Sequence, residues 1–263
     1  MDALFISPGN TKGIYQDLAT TYAAIEPPTW SLLLAESCRS VGYKVAICDA
    51  NAEQLDAEDV LQRVKKLNPR IICFVVYGQN VNAGTVNMSG AIYLSEHLKA
   101  NNIKTPIAYV GSHVQALPIK ALRDEPSIDF CFTNEGVYAL RNILSLDKID
   151  IHNMEDIKGI VWRKDGKPTF NPSEAVVPRD RMDIDLPGYA WDLLPCKDKP
   201  LDLYRAPMWH AEYDETKRSP YAAIQTSLGC QFGCNFCMIN ILNRNDEEEV
   251  GVAGNYSLMR HWS

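Results

Sequence analysis

The chain has 263 residues, an apolar content of 46% and a formal net charge of −7. This length and composition are typical of a globular protein with one large domain, or one domain and part of another. An acidic chain without a basic stripe is a poor candidate for nucleic-acid binding through phosphate contacts. The longest apolar runs are too short to cross a bilayer, and no basic stretch precedes the first one, so we expect no membrane span and a cytoplasmic location.

The first 145 residues alternate between short apolar runs and helical patterns. Continuous apolar runs are typical of strands buried on both faces of a parallel sheet, and they predict strands over 3–7, 44–48, 70–76, 107–110 and 128–132. Apolar residues at helical spacing predict helices over 29–41, 58–67, 85–100 and 135–144. Repeated strand–helix units predict an α/β fold with a five-stranded, doubly wound parallel sheet.

Small and polar residues follow the strands of this predicted sheet, at the edge where such sheets bind ligands. They are Ser7, Gly9, Asn10 and Thr11 after the first strand, Tyr77, Gly78, Gln79 and Asn80 after the third, Gly111, Ser112 and His113 after the fourth, and Glu135 and Gly136 after the fifth. The same residue types cap helices and form turns, so a purely structural role is the alternative. No glycine-rich dinucleotide or P-loop pattern is present in the sequence.

The pattern changes beyond residue 146. Residues 157–163 and 168–170 flank a turn with Asp165 and Gly166, which predicts a β-hairpin. Six prolines between Pro178 and Pro220 predict a linker that wraps over a surface without contributing to a core. A strand over 221–226 is expected to follow. We therefore predict domains at 1–146, 147–220 and 221–263.

Three of the eight cysteines fall within eight residues, at Cys230, Cys234 and Cys237. In a reducing compartment such crowding indicates metal ligation or redox chemistry. Three thiolates from one loop can bind three irons of a [4Fe–4S] cluster and leave the fourth iron open for a small chelating molecule. Gly229 and Gly233 let the backbone pass close to such a cluster. Cys38, Cys48, Cys73 and Cys131 are scattered among apolar positions, where free cysteine packs as a small hydrophobe.

The cysteine cluster has two other interpretations. A closed zinc site needs a fourth ligand; Cys196, His210 and His261 are available, but none gives a recognised zinc-finger spacing. Three unligated core cysteines are disfavoured because Gln231, Asn235 and the glycines make a poor core segment.

The stretch from Ile224 to Cys237, with Phe236 just before the last cysteine, resembles the strand and cluster loop of radical-SAM enzymes. In that family three cysteines hold a [4Fe–4S] cluster, S-adenosyl-L-methionine (SAM) chelates the fourth iron, and one electron cleaves SAM to a 5′-deoxyadenosyl radical. The resemblance implies that Cys230, Cys234 and Cys237 are the cluster ligands and that Phe236 lies near the adenine. It also implies an electron donor such as a flavodoxin or ferredoxin.

The order of the segments resembles the B12-binding class of radical-SAM proteins over nearly the whole chain. The resemblance is carried by Pro27-Pro28, Val45–Asp49 and residues 111–113, 134–136 and 191–195. It implies a Rossmann-like domain in which the strand-end residues form a platform for cobalamin, whose corrin is wide and flat with amide arms. The D-x-H-x-x-G motif is absent, which leaves the lower axial ligand of cobalt open. The methylthiotransferase class is set aside because residues 7–10 lack its Gly-Cys turn.

These features predict a cobalamin-dependent radical SAM enzyme that transfers a methyl group to, or rearranges, an unactivated carbon of a small-molecule substrate. Only 26 residues follow Cys237, whereas a complete β/α barrel has about 250 residues, so we expect the chain to be the first half of a larger protein and the start of a partial barrel. The alternatives are a corrinoid or small-ligand binding module without catalysis, and a zinc-bound structural protein.

Overall fold

The structure is a computed structural model that describes residues 1–9, 16–78, 81–239 and 259–263. Its main sheet has the strand order β2-β1-β3-β4-β5-β6-β7. The parallel strands are β1 (Ala3–Ser7), β2 (Val45–Asp49), β3 (Ile71–Val75), β4 (Ile107–Val110) and β5 (Phe130–Phe132). The doubly wound parallel sheet predicted from the sequence is confirmed, with strand ends shifted by one or two residues at most.

The helices surround this sheet and follow its strands in turn. They are α1 (Leu18–Thr21), α2 (Thr29–Arg39), α3 (Ala57–Leu67), α4 (Met88–Ala100), α5 (Ser112–Ala116), α6 (Pro118–Asp124), α7 (Val137–Leu144) and α8 (Met182–Asp185). The short helices α5 and α6 were not predicted, because neither is long enough to show a helical apolar period.

Two predicted helices begin later than expected. The helix predicted from residue 85 starts at Met88, because Val81–Asn87 forms a 3-10 helix. The helix predicted from residue 135 starts at Val137, because a turn precedes it: the side chain of Asn134 accepts the N–H of Gly136 at 2.9 Å, and Gly136 has φ +79°. Asn134 and Gly136, which follow the end of β5, therefore belong to a turn.

The core has two layers because side chains alternate along each buried strand. Ala3 and Phe5 of β1 belong to the layer with α2 and α7, whereas Leu4 and Ile6 belong to the layer with α3 and α4. All four residues are fully buried. Helices thus cover both faces of the sheet, as right-handed crossovers require.

The predicted hairpin is present as β6 (Ile160–Lys164) and β7 (Lys167–Phe170), but it does not lie apart from the sheet. It pairs antiparallel with β5, with Phe130 opposite Trp162. Val161 and Trp162 are buried on opposite faces of the extended sheet. The hairpin therefore covers the free edge of β5, which would otherwise leave backbone groups unpaired.

The prediction that residues 178–220 form a surface linker without a core contribution is wrong. Met182, Leu186 and Ala190 are fully buried in the core layer of α2 and α7. Tyr204 is also fully buried, and its hydroxyl donates to Asp49. The prolines interrupt helical periodicity, but the apolar residues between them still pack.

The strand predicted over 221–226 is also wrong, because the pairing residues come after it. A two-stranded antiparallel sheet is formed by β8 (Ser227–Leu228) and β9 (Arg260–His261). Before β8, the backbone of Gln225 is engaged by the hydroxyl of Tyr189, which accepts the Gln225 N–H at 2.7 Å and donates to its carbonyl at 2.9 Å. Among the described residues, no helix combines the length and apolar character that a membrane span needs.

Candidate functional site

The carboxyl edge of the parallel strands is where the sequence-predicted site residues converge. The sheet has β2 on one side of β1 and β3 on the other, so the direction of strand addition reverses between β1 and β3. Doubly wound sheets bind ligands beyond the carboxyl ends of the strands at such a reversal. The structure places at this edge Ser7, Gly9, Tyr77, Gly78, Gly111, Ser112, His113, Glu135 and Gly136. The other four predicted residues, Asn10, Thr11, Gln79 and Asn80, lie outside the described residues.

Two glycines let the loops of this edge pack backbone against backbone. A Cβ atom on Gly9 would lie 2.9 Å from the Cα atom of Asn51 in the loop after β2. Gly111 has φ +156°, and a Cβ there would collide with the carbonyl group of Val76 after β3. The loops of neighbouring strands therefore pack closely, backbone against backbone, at this edge.

A buried polar network lies behind these loops. Gln115 of α5 is fully buried, and its Nε2 donates to the hydroxyl of Tyr77 and, at 2.5 Å, to the carbonyl of Asn134. The ring of Tyr77 packs 5.3 Å from that of Trp30, centroid to centroid. Within the described part of the chain the Oε1 of Gln115 is buried and has no hydrogen-bond partner. An orphaned acceptor is rare in a folded protein, and it offers a place for a ligand N–H.

Gln115 was missed by sequence reasoning. It lies four residues after Gly111, one turn into α5, so its side chain returns to the level of the turn after β4. The four-residue spacing between Gly111 and Gln115 is the signal that could have identified Gln115. It has this meaning only in a helix, and the sequence pattern does not reveal the short helix α5.

His113 lies at the same edge, and its Nδ1 is 3.2 Å from the hydroxyl oxygen of Thr85. Burial, together with the charge of Lys120, lowers the pKa of His113 below its usual 6.5. The imidazole is therefore neutral near pH 7 and can accept a hydrogen bond.

Glu135 has a different environment from the one predicted. Its side chain is 2% exposed, and Arg260 donates to its two carboxylate oxygens, at 2.9 Å each. One of these oxygens also accepts the N–H of Val177, and the backbone carbonyl of Glu135 accepts from Trp30 Nε1 at 3.1 Å. The carboxylate is thus engaged by protein groups, although the residue lies in the turn that the sequence indicated.

Asp49, at the carboxyl end of β2, is a second buried carboxylate. It accepts from the hydroxyl of Tyr204 at 3.0 Å and from the N–H of Ala52 at 3.1 Å. Burial raises the pKa of Asp49 to about 6. Asp49 closes the loop after β2 against the segment that follows residue 178.

The cysteine loop leaves the core immediately after β8. Leu228 is buried, Cys230 and Cys237 are half-buried, and Cys234 is exposed. The N–H of Cys237 donates to the carbonyl of Cys234 at 3.0 Å, which makes a turn. Phe236 is 81% exposed.

The structure does not bring the three thiols together as a ligand set. In the ranges that the structure describes, no three His, Cys, Asp or Glu side chains are grouped closely enough to hold a metal ion, and this includes Cys196, His210 and His261. The chemistry of the donors nevertheless fits an iron–sulfur cluster, because three thiols lie in one accessible loop. Their assignment as ligands stays a prediction.

One family model matches the part of the chain that carries the parallel strands after β1. Residues 15–144 match the family of the B12 binding domain. The matched range begins between β1 and α1 in sequence and ends with α7. The range that matches the B12 binding domain therefore includes the turns after β3, β4 and β5 at the edge described above.

Solved structures support the same fold over the whole chain. Cobalamin-dependent SAM radical enzyme OxsB, solved with aqua-cobalamin and SAM, aligns with a TM-score of 0.61 at 14% identity, covering 100% of this chain and 30% of that one. The radical SAM methyltransferase TsrM from Kitasatospora setae, solved with its tryptophan substrate and a SAM analogue, aligns with a TM-score of 0.59 at 13% identity, covering 99% of this chain and 43% of that one. The resemblance to B12-binding radical SAM proteins is thereby confirmed at the level of the fold.

A curated protein named as an uncharacterized methyltransferase from Pyrococcus horikoshii is 27% identical over 238 residues, which are 90% of this chain and 45% of the relative. The chain thus spans less than half the length of the curated relative and of the solved proteins that it resembles.

Proposed function

We propose that this chain binds cobalamin at the carboxyl edge of its sheet and forms the first part of a cobalamin-dependent radical SAM enzyme. The observation that carries the proposal is the match to the B12 binding domain, over a sheet whose carboxyl edge has closely packed loops and a buried, orphaned acceptor behind them. In this proposal the amide arms of the macrocycle hydrogen-bond to the polar groups of the edge.

Each part of the edge has a distinct task in this proposal. Gly9 and Gly111 let the loops after β1 and β4 pack against their neighbours, and so hold the edge at which the corrin would bind. The Oε1 of Gln115 accepts an amide N–H, and the neutral His113 offers a further hydrogen-bonding group. The remaining contacts are assigned to Ser7, Asn10, Thr11, Tyr77, Gly78, Gln79, Asn80, Ser112 and Gly136.

The second cofactor is assigned to the cysteine loop. Cys230, Cys234 and Cys237 would hold a [4Fe–4S] cluster, with SAM at the open iron and Phe236 beside its adenine. Cluster and SAM together supply radical chemistry at an unactivated carbon. The exposed Cys234 and Phe236 leave the loop accessible for assembly, and burial of Leu228 fixes where the loop leaves the core.

Methyl transfer to a small-molecule substrate is the activity we favour, because the curated relative is named as a methyltransferase and TsrM is a radical SAM methyltransferase. Rearrangement at an unactivated carbon uses the same two cofactors. An electron donor such as a flavodoxin or ferredoxin would reduce the cluster. A corrinoid-binding module without catalysis is the second candidate, favoured by the absence of a gathered ligand set in the described residues.

The test is anaerobic reconstitution of the 263-residue chain with iron, sulfide and hydroxocobalamin, followed by desalting, absorption spectroscopy and metal analysis. We expect about four irons per chain and corrin bands that survive desalting. The Cys234→Ala variant should lose the iron and keep the corrin. The matched control is Cys196→Ala, which removes an exposed cysteine outside the loop and should keep both.

The alternative outcomes separate the parts of the proposal. Retained corrin without iron in the wild-type chain favours the binding module. Iron without corrin contradicts the cobalamin assignment. Zinc in place of iron contradicts the cluster assignment and favours a structural metal site.

A further inference from the structure

A buried ion pair joins the turn after β5 to the strand that follows the cysteine loop in sequence. The side chains of Arg260 and Glu135 are 1% and 2% exposed and make two parallel hydrogen bonds, at 2.9 Å each. Arg260 also donates to the carbonyl of Val177 at 2.7 Å, while the N–H of Val177 donates to Glu135. The pair thus ties three segments together that are distant in sequence.

General stabilisation is a poor reason for such a pair. Burying two charges carries a desolvation cost that well-packed apolar side chains of similar volume would avoid. In the part of the chain that the structure describes, the Nε of Arg260 is buried without a partner, which adds to that cost. A bidentate pair provides one fixed geometry, which apolar packing does not provide.

On one side, the pair is connected to the cysteine loop. The backbone of Arg260 lies opposite Leu228 in the antiparallel β8–β9 pairing. Cys230 follows Leu228 by two residues, and Leu228 is buried in the core. The position of Arg260 therefore sets where the loop begins.

On the other side, the pair is connected to the proposed cobalamin surface. The backbone carbonyl of Glu135 accepts from Trp30, whose ring packs against Tyr77. Tyr77 in turn accepts from Gln115, which carries the orphaned acceptor. A continuous set of contacts leads from the proposed cobalamin surface to the first cysteine.

We propose that Glu135 and Arg260 are positioning residues that fix the distance and orientation of the cluster loop relative to the cobalamin surface. The inference rests on the proposed function, in which both cofactors belong to this chain. Neither residue contacts a cofactor in this account; each acts through the segment that it holds.

The first test needs no cofactor. Hydrogen–deuterium exchange is measured on the 263-residue chain for Glu135→Gln, which removes the charge and keeps the shape. We expect amide exchange in residues 225–230 and 259–263 to become at least tenfold faster. The matched control is Asp129→Asn, which breaks the part-buried Lys99–Asp129 pair at the opposite edge of the sheet and should leave those residues at the wild-type rate.

A second variant distinguishes loss of the ion pair from general misfolding. Arg260→Lys keeps the positive charge but cannot form the bidentate pair, so exchange in residues 225–230 should lie between that of the wild type and that of Glu135→Gln. Wild-type exchange rates in both variants would overturn the inference, whether or not the chain binds cofactors.

The third measurement reports how the cluster and the cobalamin are placed relative to each other. In the reconstituted chain, the reduced cluster should speed the electron-spin relaxation of cob(II)alamin, and Glu135→Gln should weaken this effect severalfold at unchanged iron and corrin content. If the relaxation of cob(II)alamin in Glu135→Gln is as fast as in the wild type, the inference is overturned. If Glu135→Gln loses the corrin alone, the inference is also overturned, because Glu135 would then be a binding residue. If the wild-type chain takes up neither cofactor, the proposed function fails and the exchange result alone decides whether the pair holds the loop.

Discussion

At the scale of single residues, Asp49 is a buried carboxyl group whose charge state depends on pH. Its two oxygens are held by Tyr204 and Ala52, but burial dominates and raises its pKa to about 6. The unfolded chain has an aspartate pKa of about 3.9, so the folded state binds more protons between these two values. The contribution of Asp49 to stability therefore falls as pH rises from about 4 to about 6, and stays low above that range.

We predict that Asp49→Asn removes this pH dependence. The free energy of unfolding of the variant, relative to wild type, should rise by about 1–3 kcal/mol between pH 4 and pH 7, as measured by urea denaturation. Asp202→Asn is the control: the pKa of half-buried Asp202 is lowered to about 2 by three backbone N–H donors, so its difference from wild type should stay constant from pH 5 to pH 8. An Asp49→Asn difference that is flat with pH would contradict the account.

The sequence revealed some of these residues and not others, for a physical reason. Gly111 and His113 were found because a strand end and its turn are local in sequence. Gln115 was missed, and Asp49 was placed only at the end of a predicted strand, because their environments depend on distant partners: Tyr204 is 155 residues from Asp49. A polar side chain that is buried by long-range packing leaves no local pattern.

At the scale of elements, the segment after residue 178 is a structural part of the molecule. Arg218 is 1% exposed, although it belongs to the segment that the prolines predicted to be a surface linker. It donates to the carbonyls of Ala206 at 2.8 Å, Thr21 at 2.6 Å and Ala23 at 2.9 Å. Arg218 thereby fixes the end of α1, which follows the loop after β1.

We predict that Arg218→Met destabilises the chain by about 2–5 kcal/mol, because the buried carbonyl of Ala206 and the part-buried carbonyls of Thr21 and Ala23 lose their donor. Chymotrypsin should also cleave faster after Tyr22, whose side chain is exposed and whose backbone Arg218 helps to hold. The neighbouring Lys217→Met is the control, since its ion pair with Glu212 is exposed and its loss should cost less than about 1 kcal/mol. Equal unfolding midpoints for the two variants would show that Arg218 has no such role.

Element prediction succeeded where periodicity and burial agree. The parallel strands were predicted because each is apolar on both faces, and their bounds were nearly correct. The strand at 221–226 was wrong because a β-like composition does not identify the partner: Ile224 is exposed, and pairing begins only at Ser227, opposite His261. The joining of the hairpin to the sheet could not be predicted either, since strand partners are set by tertiary packing.

At the scale of the whole molecule, the sheet, the hairpin and the segment that leads to the cysteine loop share one core. Leu186, Ala190 and Leu228 belong to the same buried layer as α2 and α7 of the B12 binding domain. The loop is therefore held against the domain whose carboxyl edge we propose as the cobalamin surface. The boundary predicted between residues 220 and 221 stays a prediction.

The most direct test of the cobalamin assignment is hydrogen–deuterium exchange of the chain with and without hydroxocobalamin. We predict slower exchange in the turns after β3, β4 and β5, at residues 76–78, 111–116 and 133–136, and no change in the turns at the opposite edge, at residues 67–70 and 103–106. Unchanged exchange throughout, or protection confined to the opposite edge, would contradict binding at the carboxyl edge of the sheet.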